Sequence, residues 1–492
     1  MGDRPGTKTS DTLLNDSDIQ TFKQTFRGIV VTPEDPGYDE ARSVYNRMID
    51  RRPRLIARCR NVADVMSAVN FAREHHLPPA IRGGGHNVAG FGVCDDGIVI
   101  DMSLMKGIRV DPEQRTVRAE AGCTWGDLDH ATHPFGLAAP GGIISTTGIA
   151  GLTLGGGVGH LTRKCGLSCD NLLSVDLVSA DGGFLTASET KNEDLFWAIR
   201  GGGGNFGVIT SFEYTLHPVK NVVAGPILYS LDRSREAMRA YRDFMKTAPD
   251  EVNGFFVFLK VPPGPPFPEA LWNQTMCGAV MCYLGAPEKA NQALKPLIDF
   301  GPPALVGLTE MPYPALQGAF DALVPKGLLH YWKADFVNEL TDDMIDVHAQ
   351  FGPMIPTINS ALHIYPVSGA AQRRGRHDTA WSYRDAEYVH VIAAMYDNDA
   401  DTEGNRAWVR EYWKALHPLS AGGSYVNFLM DAANEDEGRV AASYRDNYDR
   451  LAAVKARYDP NNLFSINQNI KPATAGTTPA GQGARSANSA GE

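Results

Sequence analysis

Three glycines run directly into a histidine in "IRGGGHNVAGFG", residues 81–92. Glycine lets a backbone N–H approach a ligand with no Cβ in between, and it permits positive φ. A neutral imidazole is both a base and a nucleophile. The string therefore brings bare backbone and one reactive ring to a single point. Read alone, His86 is equally a turn residue hydrogen-bonded to backbone. Two more glycine clusters follow: "GIAGLTLGGGVG" at 148–159, and Gly201–Gly204 leading into Asn205-Phe206-Gly207. One cluster serves turns and close packing as readily as a ligand. Three in one region, each beside apolar runs, point to a long ligand threaded past backbone, and a phosphate-bearing dinucleotide suits them. "GGGVGHL" lacks the strand before it and the acidic residue after it that a Rossmann βαβ unit needs. No GxxxxGK[ST] phosphate loop is present either. The expectation is a dinucleotide site of another architecture.

The elements that must position these residues are readable from periodicity. "RLIARC", "PPAIRGG", "GIVIDMS" and "TVRAEAG" read as strands, and "NVADVMSAVNFAREHH" has helical spacing. "NLLSVDLVSADGGFLTA" reads as a hairpin turning at Asp181-Gly182-Gly183. From about 222 to 425 the glycines thin out. There "NGFFVFLKV", "MCGAVMCYLG" and "YVHVIAAMY" alternate with helical stretches, as in a separate α+β unit with an antiparallel sheet. "SYRDNYDRLAAVKARYDPNNLFSINQNI" reads as a helix stopped at Asp459-Pro460 and followed by an extended end.

Four stretches carry a resemblance: "RGGGHNVAG", "GIAGLTLGGGVGHLTRKCGLSCDNL", "DLFWAIRGGGGNFGVIT" and "YDPNNLFSINQNI". In this order they resemble the FAD-linked oxidases of the PCMH/vanillyl-alcohol-oxidase superfamily. Within it they are most similar to the berberine-bridge-enzyme-like group, whose bacterial members include the 6-hydroxynicotine oxidase type. The likeness covers about residues 25–220 and 425–472. It implies an α+β chain: a PCMH-type FAD-binding domain of two subdomains, and a substrate domain whose antiparallel sheet is flanked by helices. The expected division is a disordered arm (1–20), the FAD-binding domain (21–220), the substrate domain (221–424), a segment returning to the FAD domain (425–472) and a disordered tail (473–492).

The resemblance assigns His86 the covalent bond to the flavin 8α-methyl. Relatives with a second attachment carry a cysteine where this chain has Ile144, so the expected FAD is monocovalent. Arg82, Gly83, Gly84, Gly85 and Asn87 are expected at the pyrophosphate. Thr146, Thr147, Gly148, Gly151, Gly155, Gly156 and Gly157 are expected along the pyrophosphate and isoalloxazine. Gly207, Val208 and Ile209 fall near the adenosine end, and Asn467 and Asn469 in the returning segment. Thr147 also takes the place that gates oxygen in plant relatives, and it leaves oxidase against dehydrogenase open.

For a base, "SYVNFLMD" resembles the family's Tyr-x-Asn-Tyr strand. Tyr425 and Asn427 match, while Phe428 replaces the second tyrosine. "YRDAEYVHVIAAMY" resembles the strand that carries a catalytic glutamate in plant enzymes, and His390 takes that place. Alternation sets Tyr388, His390 and Ile392 on one face and Glu387, Val389 and Val391 on the other. Both Tyr425 and His390 also have an ordinary packing reading. His363 and Tyr365 share a strand face and are further candidates for the pocket. The implied activity is oxidation of a small alcohol, amine, sugar or natural-product intermediate by hydride transfer to flavin N5, with O2 as acceptor and H2O2 as product. The alternatives are a dehydrogenase using another acceptor and a non-catalytic flavin-binding protein.

The bulk numbers agree with this. The chain has 492 residues, 43% hydrophobic and 21% charged, with a net charge of −11. An acidic surface argues against nucleic acid or an anionic membrane as partner. The first residues are polar and no long apolar run occurs, so the expectation is a cytoplasmic protein without a membrane span. Seven cysteines form no CxxC or Cys/His cluster. Cys165 and Cys169 read as buried small residues ahead of a metal pair, and no metal is expected.

Overall fold

In the computed structural model, which describes residues 14–430 and 437–474, the strands form three main sheets. Leu55–Arg58, Ile98–Asp101 and Pro79–Arg82 pair in parallel, and Ile29–Val31 adds an antiparallel edge. The helix Val62–Glu74, capped by the Asn61 side chain, makes the crossover from Leu55–Arg58 to Pro79–Arg82. The second sheet is antiparallel in the order 108–111, 116–120, 208–215, 172–178, 184–188. Its last two strands are the hairpin read at Asp181-Gly182-Gly183. Continuous apolar runs such as "LIA" and "IVI" are what strands buried on both faces require. Leu55, Ala57, Ile98 and Ile100 meet the Phe196, Phe212 and Trp125 side chains in one core, and Ile56 and Val99 pack with Tyr38 and Val93 on the other face.

The third sheet is antiparallel. Its order is 305–306, 221–229, 275–283, 252–260, 361–366, 388–396, 329–337, with 309–312 also pairing on 221–229. Alternation divides each strand between two environments. Leu362, Ile364, Ile392 and Ala394 pack on helices Ser234–Thr247, Asp342–Phe351 and Thr402–Leu416, beside Met238, Ile345 and Val409. The opposite residues, Val389, Val391, Ala393 and Met395, turn toward the glycine-rich sheets. No helix among the described residues is long and apolar enough to cross a membrane.

Two expectations change. Residues 16–20 are not a loose arm: Asp16–Thr25 is a helix with a capping box at Asn15, and Ile19 and Phe22 are buried. The sequence density of polar residues there hides one apolar stripe at i, i+3 spacing. "SYVNFLMD" is not a strand: Val426–Phe428 is a single 3-10 turn. Residues 1–13 and 475–492, within the expected arm and tail, lie outside the described residues.

The glycine-rich part and the third sheet are joined by buried polar contacts. Arg384 donates from both terminal nitrogens to the Asp170 carboxylate, at 2.8 and 2.6 Å, and both side chains are almost completely buried. Asn253 donates to the carbonyls of Gly159 and His160. Arg163 donates to the carbonyls of Ala248 and Pro249.

Candidate active site

A cleft of about 300 Å³ lies between the glycine loops and the third sheet. Its first wall is backbone. Gly83–Gly85 continue from the strand Pro79–Arg82, and Gly148 opens the short helix Ile149–Leu154. Gly84 and Gly148 touch: a Cβ on either would stand 2.4 Å from the other's nitrogen. No side chain fits at either place. Gly151 and Gly204 are different. Both line the cleft, yet a Cβ on either would meet no protein atom within 4 Å beyond its chain neighbours and, at Gly151, its own helix turn. A glycine inside a helix costs about 0.5–1 kcal/mol relative to alanine. At Gly151 no neighbour in the protein requires it, whereas a ligand lying on the backbone would.

His86 stands in this wall. Its ring stacks on Tyr45 at 3.9 Å between centroids and 20° between planes. Nε2 lies 3.0 Å from Thr146 Oγ1, and Nδ1 lies 3.4 Å from Thr147 Oγ1. Burial, with a smaller push from His330, lowers its pKa to about 3, so the imidazole is neutral and keeps a lone pair. Tyr45 is itself pinned twice. Its N–H donates to Gly85 O at 3.0 Å, and its hydroxyl donates to Val324 O.

Arg82 is buried and donates from Nη2 to Asp101 Oδ2 at 2.8 Å, while its Nη1 is buried without a partner. Asn467 donates to Gly204 O and Phe464 O, and its Oδ1 is likewise unpartnered. Both line the cleft. Guanidinium N–H groups and successive backbone N–H groups suit an anionic pyrophosphate. With the open faces of Gly151 and Gly204, these residues fit FAD.

The second wall is made of side chains. Ala361, His363 and Tyr365 come from one strand and Val391, Ala393 and Met395 from the next. Tyr365 Oη and His363 Nδ1 are 2.5 Å apart. Burial lowers the His363 pKa to about 3 and raises that of Tyr365, so both groups are neutral and share one hydrogen bond, its direction set by the imidazole tautomer. Tyr425 closes the cleft from the C-terminal segment. Its phenol oxygen accepts from Gly157 N–H at 2.9 Å and from Asn427 Nδ2 at 2.8 Å. Burial pushes its pKa up to about 12, against the pull of these two donors.

Of the expected residues, Arg82, Gly83, Gly84, Gly85, His86, Asn87, Thr147, Gly148, Gly151, Gly207, Ile209, Tyr425 and Asn467 line the cleft, and Ile144 lines it as well. Thr146 reaches it through its contact with His86.

His390 does not line it. It is wholly buried on the helix side of its strand, opposite Asp335 in the ladder and edge-on to His348 at 5.8 Å. The alternation was read correctly, but the cleft takes the other face. Gly155, Gly156 and Gly157 also stand outside the lining. There a Cβ would strike Asn427, Trp381 and Ser168 respectively, so close packing explains these glycines. Val208 packs into the core, and Asn469 does not line the cleft.

Several lining residues went unrecognised: Tyr45, Trp332, Met395 and Gln468. Tyr45 sits in "SVYNRMID", which carries no motif. Trp332 was findable only by alternation along "LHYWKADFV" once one face was known to be the cleft.

A parallel strand–helix–strand unit, antiparallel sheets and a glycine-walled cleft ending in a neutral histidine define a flavin-dependent oxidoreductase. Residues 53–188 match the family model for an FAD binding domain, and residues 424–471 match the one described as berberine and berberine like. The chain is similar to an FAD-linked oxidoreductase of Dictyostelium discoideum, 33% identical over 459 residues, spanning 92% of this chain and 97% of that one. It is 30% identical over 467 residues to (R)-6-hydroxynicotine oxidase of Paenarthrobacter nicotinovorans, covering 91% and 97%. The crystal structure of 6-hydroxy-D-nicotine oxidase from Arthrobacter nicotinovorans superposes with a TM-score of 0.81 at 28% identity, covering 91% of this chain and 99% of that one. The chain belongs to the berberine-bridge-enzyme-like FAD-linked oxidoreductases of the PCMH superfamily.

Proposed function

We propose that the protein oxidises a small organic molecule by hydride transfer to FAD held covalently on His86, with O2 as the electron acceptor. When bound, FAD supplies N5 as hydride acceptor and passes two electrons to O2, which leaves as H2O2. The observation that carries this reading is His86: a neutral imidazole, stacked on Tyr45 and held by Thr146 and Thr147, at a cleft wall of bare glycine backbone.

The other roles follow from position. His86 would bond the flavin 8α-methyl through its unprotonated ring nitrogen, in place of that nitrogen's contact with a threonine hydroxyl, and Ile144, with no thiol, makes the attachment single. Arg82 and the N–H groups of Gly83–Asn87 would hold the pyrophosphate. Gly148, Gly151 and Gly204 would leave room along the ring and its ribityl chain, and Gly207, Ile209 and Asn467 would line the remainder.

Two phenols line the cleft and are the candidates to take the substrate proton. Tyr365 can hydrogen-bond a substrate hydroxyl while it shares a hydrogen bond with His363 Nδ1 at 2.5 Å, which fixes the direction of its own oxygen. Tyr425 has two N–H donors on its oxygen, which offset part of the burial that pushes its pKa up to about 12.

The test is acid precipitation of purified wild type and His86→Ala. The expected result is yellow colour and 450 nm absorbance retained in the wild-type pellet and lost from the variant pellet. Flavin released from wild type into the supernatant would remove the tether from the reading. Turnover that reduces an artificial dye but yields no peroxide would replace oxidase by dehydrogenase.

A further inference from the structure

One short segment, residues 45–47, ties the loop that carries His86 to the third sheet. Tyr45 N–H donates to Gly85 O at 3.0 Å. On its other side Gly327 N–H donates to Tyr45 O (3.1 Å) and Arg47 N–H donates to Leu328 O (2.9 Å), so the segment runs beside the chain entering the strand Leu329–Val337. Asn46, wholly buried, completes the join. Its Nδ2 donates to Val88 O (2.8 Å) and His330 O (3.2 Å), and its Oδ1 accepts from His330 N–H (3.0 Å). Gly85 and Val88 flank His86 in the chain, so both walls grip the same segment.

The Tyr45 side chain is fixed as well. Its hydroxyl donates to Val324 O. Its ring meets two imidazoles: face to face with His86 at 3.9 Å and 20°, and tilted on His330 at 5.0 Å and 34°.

A histidine ring is held softly by its own bonds, because the torsion that turns it is broad. Neighbours must set its plane. Thr146 and Thr147 touch the edge of the His86 ring, at Nε2 and Nδ1. Whichever nitrogen joins the flavin 8α carbon must give up its threonine. Tyr45 touches the face of the ring and neither nitrogen, so its contact does not compete with the new bond.

We propose that Tyr45 is a positioning residue for His86: its ring holds the imidazole in the plane from which a nitrogen reaches the flavin 8α carbon, and Asn46 and Arg47 hold Tyr45 there. This deepens the covalent reading of His86 and rests on it. The new N–C bond replaces one C–H of the 8α-methyl and the imidazole N–H. The two protons and two electrons released pass to O2, giving H2O2. Such a step is sensitive to the approach of the reacting atoms, which is what a fixed ring plane supplies.

The experiment starts from the full-length chain produced without flavin in a riboflavin-starved host. FAD is added in air at rising concentrations, and acid-stable flavin is followed with time. The plateau rate reports bond formation, and the concentration that gives half of it reports flavin binding. Tyr45→Leu should lower the plateau rate about 2- to 12-fold, the rate equivalent of one stacked ring pair. Tyr45→Phe keeps the ring and loses only the hydroxyl bond, and it should restore the wild-type rate. Should Tyr45→Leu not fold, Tyr45→Met gives the same comparison, since it also fills the space without a flat face.

A side chain that merely fills space would move the half-saturating concentration or the melting temperature alone. A plateau rate in Tyr45→Leu equal to that of wild type would therefore overturn the proposal, as would a Tyr45→Phe variant as slow as Tyr45→Leu. Wild type that gains no acid-stable flavin would overturn the tether and this role together. Equal rates overturn this role and leave the tether standing.

Discussion

The two walls of the cleft are built in opposite ways. The glycine wall is backbone against backbone at Gly84 and Gly148, and open backbone at Gly151 and Gly204. The sheet wall is side chains standing off a regular ladder: Ala361, His363 and Tyr365 beside Val391, Ala393 and Met395. Backbone cannot move aside for an added atom without moving the loop. A side chain on a strand can be exchanged while the ladder stays in register. The first wall is therefore suited to one unchanging ligand, and the second can be altered residue by residue for different substrates.

The sharpest test of that contrast is one substitution in each wall. Gly148→Val places branched carbon against Gly84 backbone, and a destabilisation above about 4 kcal/mol is expected. Soluble yield and the 450/280 nm absorbance ratio should both collapse. Val391→Ala, on the sheet wall, should keep that ratio at the wild-type value and shift only substrate affinity.

The seam between the walls comes next. Arg384→Met leaves Asp170 as a buried unpaired carboxylate, and a loss of about 3–5 kcal/mol is expected. Adding Asp170→Leu should restore a large part of it. Urea unfolding midpoints of the single and double variants measure the difference. A double variant no better than the single one would show that the pair is not what couples the walls.

Within the cleft, Tyr425→Phe removes the acceptor for Gly157 N–H and Asn427 Nδ2. Stability should fall by about 1–3 kcal/mol for the stranded donors. If its phenol moves the proton, kcat should fall by at least about 100-fold. His390→Leu, on the far face of its strand, should leave kcat unchanged; a large drop would return His390 to the catalytic side.

The smallest effect is a pH dependence of stability on that far face. His417 Nδ1 lies 2.9 Å from Asp335 Oδ2, and this hydrogen bond raises the His417 pKa. Burial alone would raise Asp335, but the imidazoles of His390 and His417 outweigh it and hold the carboxyl below its usual value. The His417 contribution is complete below the unfolded histidine value and is lost as pH rises through the raised folded one. The Asp335 contribution is present above the unfolded carboxyl value and is lost as pH falls through the lowered one. Both are complete between about pH 4 and 6.5. The gap in unfolding midpoint between wild type and His417→Gln should be widest near the middle of that window and narrow above neutrality.

Much of this was legible in local sequence. His86 was readable because three glycines and a histidine are contiguous, and what they do depends on neighbours in the chain. The hairpin at Asp181-Gly182-Gly183 and the helix ending before Asp459-Pro460 are local in the same sense. His390 was misplaced for the opposite reason. Period-two alternation sorts a strand into two faces but does not label them. The resemblance set His390 at the place of the plant enzymes' catalytic glutamate, and alternation along the strand did not say which face would meet the cleft. The cleft instead takes Val391, Ala393 and Met395, because helices Asp342–Phe351 and Thr402–Leu416 cover the other side.

By itself, then, the chain's sequence determined the glycine loops, their histidine and the strand periodicities, because each is set by neighbouring residues and backbone sterics. The tertiary structure alone decided which strand face meets the cleft. It decided that Tyr45 from one loop stacks on His86 from another, and that Gly155–Gly157 serve packing while Gly151 and Gly204 stand open. Those outcomes depend on which layer covers which, and that is settled only when distant segments compete to bury apolar surface.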